Sequence, residues 1–330
     1  MTAPVRIGVV GSGFGARVVA PVFAATDGCA VIDVVSARDA DEVARLCARR
    51  DLDLVSVHVP PFLHAEVVVR ALDAGHAVLC DKPFGAHTSD AQRMVDAAAT
   101  ASQPALVNFE FRADPARRQV ADLLDAGTLG TIERVSWTHW SAGSRRPLRP
   151  HGWLFERAAG GGWLGAWGSH ALDTLRWWLG DLTVVSAHLT TGITERPDRE
   201  GVLRACDAED GMTASLRTDA GVIVTVDSTF AASVTIAPRV VIAGSEGVAE
   251  VVADRRVTVR RADPDREEWT APTTDGDPHL VPMRAWAGVV RAVVCGERSL
   301  AGVPTFADGL VVRTLLDRMV AVAAERGDGR

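Results

Sequence analysis

Apolar and polar positions follow two different periods along this chain, and the change of period divides it. In the first third, short and largely apolar runs (Val5–Val10, Ala30–Val35, Asp53–Val59, Ala77–Cys80, Ala105–Phe109) read as strands buried on both faces. Segments with helical spacing stand between them: the stretch reaching Phe23, Asp39–Arg49, Ala65–Ala74 closed by Gly75, and Thr88–Thr100. Strand–helix alternation of this kind predicts an α/β fold with a parallel, doubly wound sheet. From Thr131 the period becomes 2, over Thr131–Trp140, Thr183–Leu189, Met212–Thr218, Gly221–Phe230 and Val240–Val252. Turns fall at Asp219-Ala220-Gly221 and Gly244-Ser245-Glu246-Gly247. The second half therefore predicts a largely antiparallel sheet with one wet face. Apolar residues on both sides of it suit a dimer or tetramer contact. The expected division is 1–110 and 111–330, with Pro264–Pro278 as a surface loop.

Composition narrows the function classes. A length of 330 residues suits two domains, and 47% hydrophobic residues allow a sizeable core. A net charge of −7 argues against nucleic acid or an anionic membrane as partner. No run reaches the roughly 18 apolar residues of a membrane span. The start, MTAPVRIGVVG, enters a strand without a basic leader. Five scattered cysteines without a CxxC pair predict reduced thiols in a cytoplasmic protein. His139, His151 and His188 lack metal-ligand spacing, and no metal is expected.

Gly11-Ser12-Gly13-Phe14-Gly15-Ala16 joins the first strand to the first helix as G-x-G-x-x-A. Gly11 permits the tight turn, Gly13 lets backbone approach a pyrophosphate, and Ala16 lets helix and strand pack closely. The second strand ends at Ser36-Ala37-Arg38, where NAD sites carry a carboxylate for the ribose. Serine and arginine there favour NADP, with NAD as the alternative. Pro60, Pro61, His64, Asp81 and Lys82 also fall at carboxyl ends of strands, where such sheets bind ligands. Flavin or methyl-donor binding finds support in the glycine loop alone. In GGGWLGAWGSHALDTLRWWLG (160–180) the glycines let backbone pass close to a bound ring, while Trp163 and Trp167 wall a pocket. Ser169 then caps a helix that carries His170 and Asp173 on one face. The arginine-rich Ser144–His151 reads as a solvated loop, or as a lid for an anionic substrate with His151 at its end.

The ordered set of glycine loop, VPPFLH (59–64), CDKP (80–83), NFEFR (108–112), the 160–180 stretch, GSEG (244–247) and PTFADGL (304–310) resembles the Gfo/Idh/MocA family. The resemblance covers nearly the whole chain. It implies a Rossmann domain followed by an α/β domain with a largely antiparallel sheet. It also implies hydride exchange between NAD(P) and a sugar, inositol or related compound. Lys82 matches the lysine of the family's E-K-P motif, with Asp81 in place of glutamate. His170 matches the histidine of D-x-G-x-H as proton acceptor in oxidation, and Asp173 the acid three residues on. Asn108 is expected on the cofactor and Arg112 on the substrate. Two departures stand out: Ala166 replaces the family's aspartate, and one strand is missing between Ser36 and Asp53. The first leaves open a non-catalytic NAD(P)-binding regulator or scaffold on the same fold.

Overall fold

The computed structural model describes residues 3–261, 266–270, 279–297 and 302–325. In chain order the elements begin β1 (Val5–Val10), α1 (Ala20–Ala24), β2 (Cys29–Val35), α2 (Ala40–Cys47), β3 (Leu54–Val57), α3 (His64–Asp73), β4 (Ala77–Cys80), α4 (Thr88–Thr100) and β5 (Ala105–Val107). Then come α5 (Pro115–Asp125), β6 (Ile132–Trp140), α6 (Ser169–Leu179), β7 (Leu182–Thr190), β8 (Glu195–Pro197), β9 (Leu203–Ala205), β10 (Gly211–Thr218) and β11 (Ile223–Thr229). The chain closes with β12 (Ile236–Gly244), β13 (Gly247–Val252), β14 (Arg256–Arg261), β15 (Arg266–Thr270), α7 (Leu280–Val294) and α8 (Phe306–Glu325).

Two compact units result, Met1–Asp114 with Thr274–Thr314, and Pro115–Thr273 with Leu315–Arg330. The break expected after residue 110 lies close to the first crossing, but the chain crosses more than once. The reason is α7, whose Met283, Trp286, Ala287 and Val290 recur at helical spacing and join Val5, Ile7 and Val9 in one buried cluster.

The first unit holds a five-stranded parallel sheet in the order β2-β1-β3-β4-β5. Every residue of β3 and β4 is buried, which accounts for their unbroken apolar runs. Only α2 separates β2 from β3, so β2 is an edge strand, and Ile32 and Val34 lie exposed on it.

The second unit holds an eight-stranded sheet, β15-β14-β13-β12-β6-β11-β10-β7, antiparallel except for the β6–β11 pair. Val135, Trp137, Val224, Val226, Leu216 and Ile242 are buried in it, while Arg134, Thr138, Thr213, Arg217 and Thr225 are exposed. The exposed positions mix polar residues with apolar Trp140, Val185 and Ile236. β15 forms inside the stretch expected to be a loop (264–278), and the rest of that stretch falls outside the described residues. Among the described residues, no helix is long and apolar enough to cross a membrane.

Candidate active site

In the first unit the glycines of the loop differ in the space around each Cα. Gly11 has φ +145°, and a side chain there would strike the His58 carbonyl oxygen. A Cβ on Gly13 would meet nothing within 4 Å, so its outward side is open to a ligand. A Cβ on Gly15 would lie 2.9 Å from the His58 Cβ and 3.2 Å from Val9 Cγ1. Close helix–strand packing therefore falls to Gly15, and not to Ala16 as the motif spacing suggests. The helix opens with a π turn, Gly15–Val19, before α1. Exposed Ser12 and half-buried Phe14 complete the loop. An open backbone cradle at a helix start fits a pyrophosphate.

The adenosine side is set by β2 and α2. Asp39 accepts from the Asp41 and Glu42 N–H groups (3.0 and 2.9 Å) and caps α2. Asp33 pairs with Arg49 at 3.5 Å. Both nearby carboxylates are thus engaged within the protein. Ser36 Oγ accepts from the Arg38 N–H (3.3 Å), and Arg38 is exposed.

At the far ends of β3, β4 and β5 lies a buried polar network. His58 Nδ1 stands 3.1 Å from Asp81 Oδ2, and its Nε2 2.7 Å from Ser56 Oγ. Asp81 Oδ1 accepts from the Lys82 backbone N–H (2.9 Å) and Asn108 Nδ2 (3.3 Å). Burial alone would raise the Asp81 pKa, but the hydrogen bond from His58 and the nearby Lys82 charge outweigh it and hold the carboxyl below the usual range. Lys82 itself is half-buried. Buried Pro61 and half-buried Pro60 shape the loop after β3.

Two expected contacts need correction. His64 is fully buried, with Nε2 2.8 Å from the Val59 carbonyl and Nδ1 accepting from the Gly85 N–H (3.4 Å). It ties two loops together and has no surface for a cofactor. Arg112 is also buried, donating to the Gly302 carbonyl (3.0 Å) and Asp308 Oδ1 (3.3 Å), so its guanidinium holds chain rather than substrate. Close by, buried Glu110 holds His279 Nδ1 at 2.6 Å, and Phe14 and Phe111 pack on that ring. Glu110 is the central residue of NFEFR, where the sequence alone gives it no role, and His279 belongs to no motif.

In the second unit, a π turn, Leu164–Gly168, runs directly into α6. Ser169 is not the cap: its hydroxyl donates to the Gly165 carbonyl at 2.7 Å, inside a continuing helix. His170 and Asp173, one turn apart, are buried at 2% and 1% exposure. The preceding glycines clear space for the protein's own chain. A Cβ on Gly161 would strike the Trp153 and Leu154 carbonyls, and one on Gly162 (φ +110°) the Glu209 carboxylate. Glu209 in turn accepts from the Leu164 N–H at 3.1 Å. The carboxylate at this turn is therefore Glu209, whereas position 166 is alanine. Trp163 lies parallel to Phe230 (4.3 Å between centroids) and Trp167, and donates to Ser228 Oγ at 2.8 Å. Trp167 is buried, edge-on to Trp137 and His139. His151 Nε2 stands 3.1 Å from the Ala205 carbonyl, which ties down the end of the arginine-rich loop.

Comparison with known proteins now decides the family. Residues 5–109 match an oxidoreductase family with an NAD-binding Rossmann fold, and residues 117–250 match the GFO/IDH/MocA C-terminal domain. The chain belongs to the GFO/IDH/MocA oxidoreductase family. It is 34% identical over 229 residues to an uncharacterized oxidoreductase of Synechocystis sp., covering 64% of this chain and 61% of that protein. To the levoglucosan dehydrogenase of Pseudarthrobacter phenanthrenivorans it is 29% identical over 193 residues, covering 54% and 50%. The matched stretches thus span 61% and 50% of those relatives. A solved levoglucosan dehydrogenase in complex with NADH and levoglucosan has the same fold, with TM-score 0.85, 24% identity and 98% of each chain covered.

Proposed function

We propose that this GFO/IDH/MocA oxidoreductase moves a hydride between a bound nicotinamide dinucleotide and the carbinol or carbonyl carbon of a sugar, inositol or related polyol, with Lys82 and His170 handling the proton. One observation carries the roles. Lys82 is the only lysine in the sequence; the other 34 of its 35 Lys and Arg residues are arginine. Wherever a fixed positive charge suffices, the chain uses a guanidinium. The single ε-amine stands at the carboxyl end of β4, where a compact point-charge donor polarises a carbonyl oxygen that a planar guanidinium fork would crowd.

The bound nicotinamide supplies or accepts the hydride. In reduction Lys82 donates a hydrogen bond to the carbonyl oxygen and His170 delivers the proton; in oxidation His170 takes it. Asp173 orients a substrate hydroxyl, and half-buried Trp163 flanks the ring, with buried Trp167 backing it rather than touching the substrate. Ser36 and Arg38 favour the 2′-phosphate of NADP, because Asp33 and Asp39 are both engaged within the protein. Arg112 and His64 hold neighbouring loops in place instead of touching a ligand.

The test is steady-state kinetics on a panel of sugars, inositols and ketosugars with Lys82→Met and Lys82→Arg. Both are expected to lose about a hundredfold or more in kcat, since positioned proton transfer contributes that much, with cofactor affinity retained. An arginine variant at nearly full rate would show that position 82 needs only charge, and sink the specific role given to the Lys82 ε-amine.

A further inference from the structure

Two loops meet on one residue that no motif marks. The ring of His58, just beyond β3, is fully enclosed. On one side it backs the glycine loop. Its carbonyl oxygen is what a side chain on Gly11 would strike, its Cβ is what one on Gly15 would meet, and Phe14 lies edge-on to its ring at 6.0 Å. On the other side Nδ1 reaches Asp81 Oδ2 at 3.1 Å, and the second Asp81 oxygen accepts the Lys82 N–H at 2.9 Å. The sheet register explains the meeting: Val57 pairs with Cys80 in the parallel ladder, so the next residues, His58 and Asp81, emerge side by side.

Ser56 completes the arrangement, with Oγ 2.7 Å from Nε2. Two residues apart on a strand, Ser56 and His58 point to the same face. A ring protonated on Nδ1 donates to Asp81 and accepts from the Ser56 hydroxyl, which satisfies all three groups. The order Ser–His–Asp is that of a nucleophilic triad. Ser56, however, is completely buried, so no substrate reaches the hydroxyl. Only one end of the chain of bonds leads onward, through Asp81 to Lys82.

We propose that His58 is a positioning residue for hydride transfer: by holding Asp81 while backing the glycine loop, it locks the loop that carries Lys82 to the loop that receives the dinucleotide phosphates. The proposal rests on the reading of Lys82 given above. It assigns to Ser56 the task of fixing which ring nitrogen faces Asp81.

The sole lysine allows a test without turnover. Reductive methylation modifies only Lys82 and the α-amino group, and the ratio of the two by mass spectrometry reports the setting of Lys82 in the cofactor-free protein. His58→Leu keeps the backbone carbonyl and Cβ but has no donor for Asp81. It is expected to lower kcat about tenfold or more and to change the methylation ratio, with NADPH and NADH Kd within about threefold of the parent. His58→Asn, whose side-chain N–H reaches toward Asp81, is expected to restore rate and ratio to within about threefold. A leucine variant with parental rate and ratio overturns the proposal. So does a fully folded asparagine variant as impaired as leucine, because the bond to Asp81 would then be irrelevant. Should the leucine variant fail to fold, Ser56→Ala decides: it is expected to lower kcat about threefold or more at unchanged Kd, and no change in rate or ratio overturns the proposal. If Lys82→Met proves active, the catalytic reading fails alone, since the methylation ratio still reports whether His58 holds the loop.

Discussion

The two glycine-rich turns of this molecule look alike in sequence and are built alike, yet they serve different masters. Gly11–Ala16 and Gly160–Gly168 each lead into a π turn and then an α-helix. At the first, Gly13 faces open space. At the second, Gly161 and Gly162 are filled from within by the Trp153 and Leu154 carbonyls and the Glu209 carboxylate. Glycine removes a Cβ in both places. What lies beside the vacated Cβ, open space at Gly13 but the protein's own chain at Gly11, Gly15, Gly161 and Gly162, differs from position to position and is not written locally.

Three changes break or sharpen that comparison, from the largest effect down. Gly162→Ala places a Cβ at φ +110° against Glu209; strain of about 1–3 kcal/mol plus the clash is expected to lower Tm by several degrees in calorimetry. Glu209→Ala in the same chain should relieve part of that loss, since the two residues share one space. Gly13→Ala is the mirror case: Tm is expected to stay within a degree or two, while NADPH and NADH Kd, read by tryptophan quenching, rise about tenfold or more. If Gly13→Ala melted early and bound normally, the ligand-facing reading of the first turn would be wrong.

Next, Arg38→Ala tests what the first turn receives. Losing a charge-assisted contact of about 1.5–3 kcal/mol is expected to weaken NADPH about tenfold or more and leave NADH within about twofold, by titration. Equal weakening of both would favour NAD. The smallest effect concerns His64. Burial lowers its pKa, with the opposing pull of Asp81 and the Val59 carbonyl losing. The unfolded state takes up a proton near the ordinary value of about 6.5 that the folded state refuses. Stability should therefore fall as pH drops below about 6.5, and His64→Gln should show a shallower fall between roughly pH 7 and 5 in urea melts. An unchanged slope would mean that His139, half-buried and also with a pKa lowered by desolvation, dominates.

Much of the first unit was legible because its signals are short-range. Buried parallel strands read as apolar runs, and a turn such as Gly11 requires a residue without Cβ wherever it occurs. The missing strand between β2 and β3 was equally visible, as a gap with room for one helix. Less was legible at the candidate site. His64 and Arg112 sit at the right ends of strands, but their side chains turn inward to carbonyls and an aspartate. The only linear hint of the His58 network is a polar pair, Ser56 and His58, at the end of an otherwise apolar strand. Without knowing that β3 neighbours β4, nothing connects it to Asp81, 23 residues away.

By itself the sequence determined the two periods and the elements they build, the glycine loop, the order of family motifs and the single ε-amine at position 82. These depend on backbone sterics and side-chain alternation, which act within a few residues. Tertiary structure alone decided that α7 packs with β1, that Glu209 fills the space beside Gly162, and that His58 stands between the glycine loop and Asp81. Those outcomes depend on strand order and register, which bring together side chains the linear pattern leaves dozens or hundreds of residues apart.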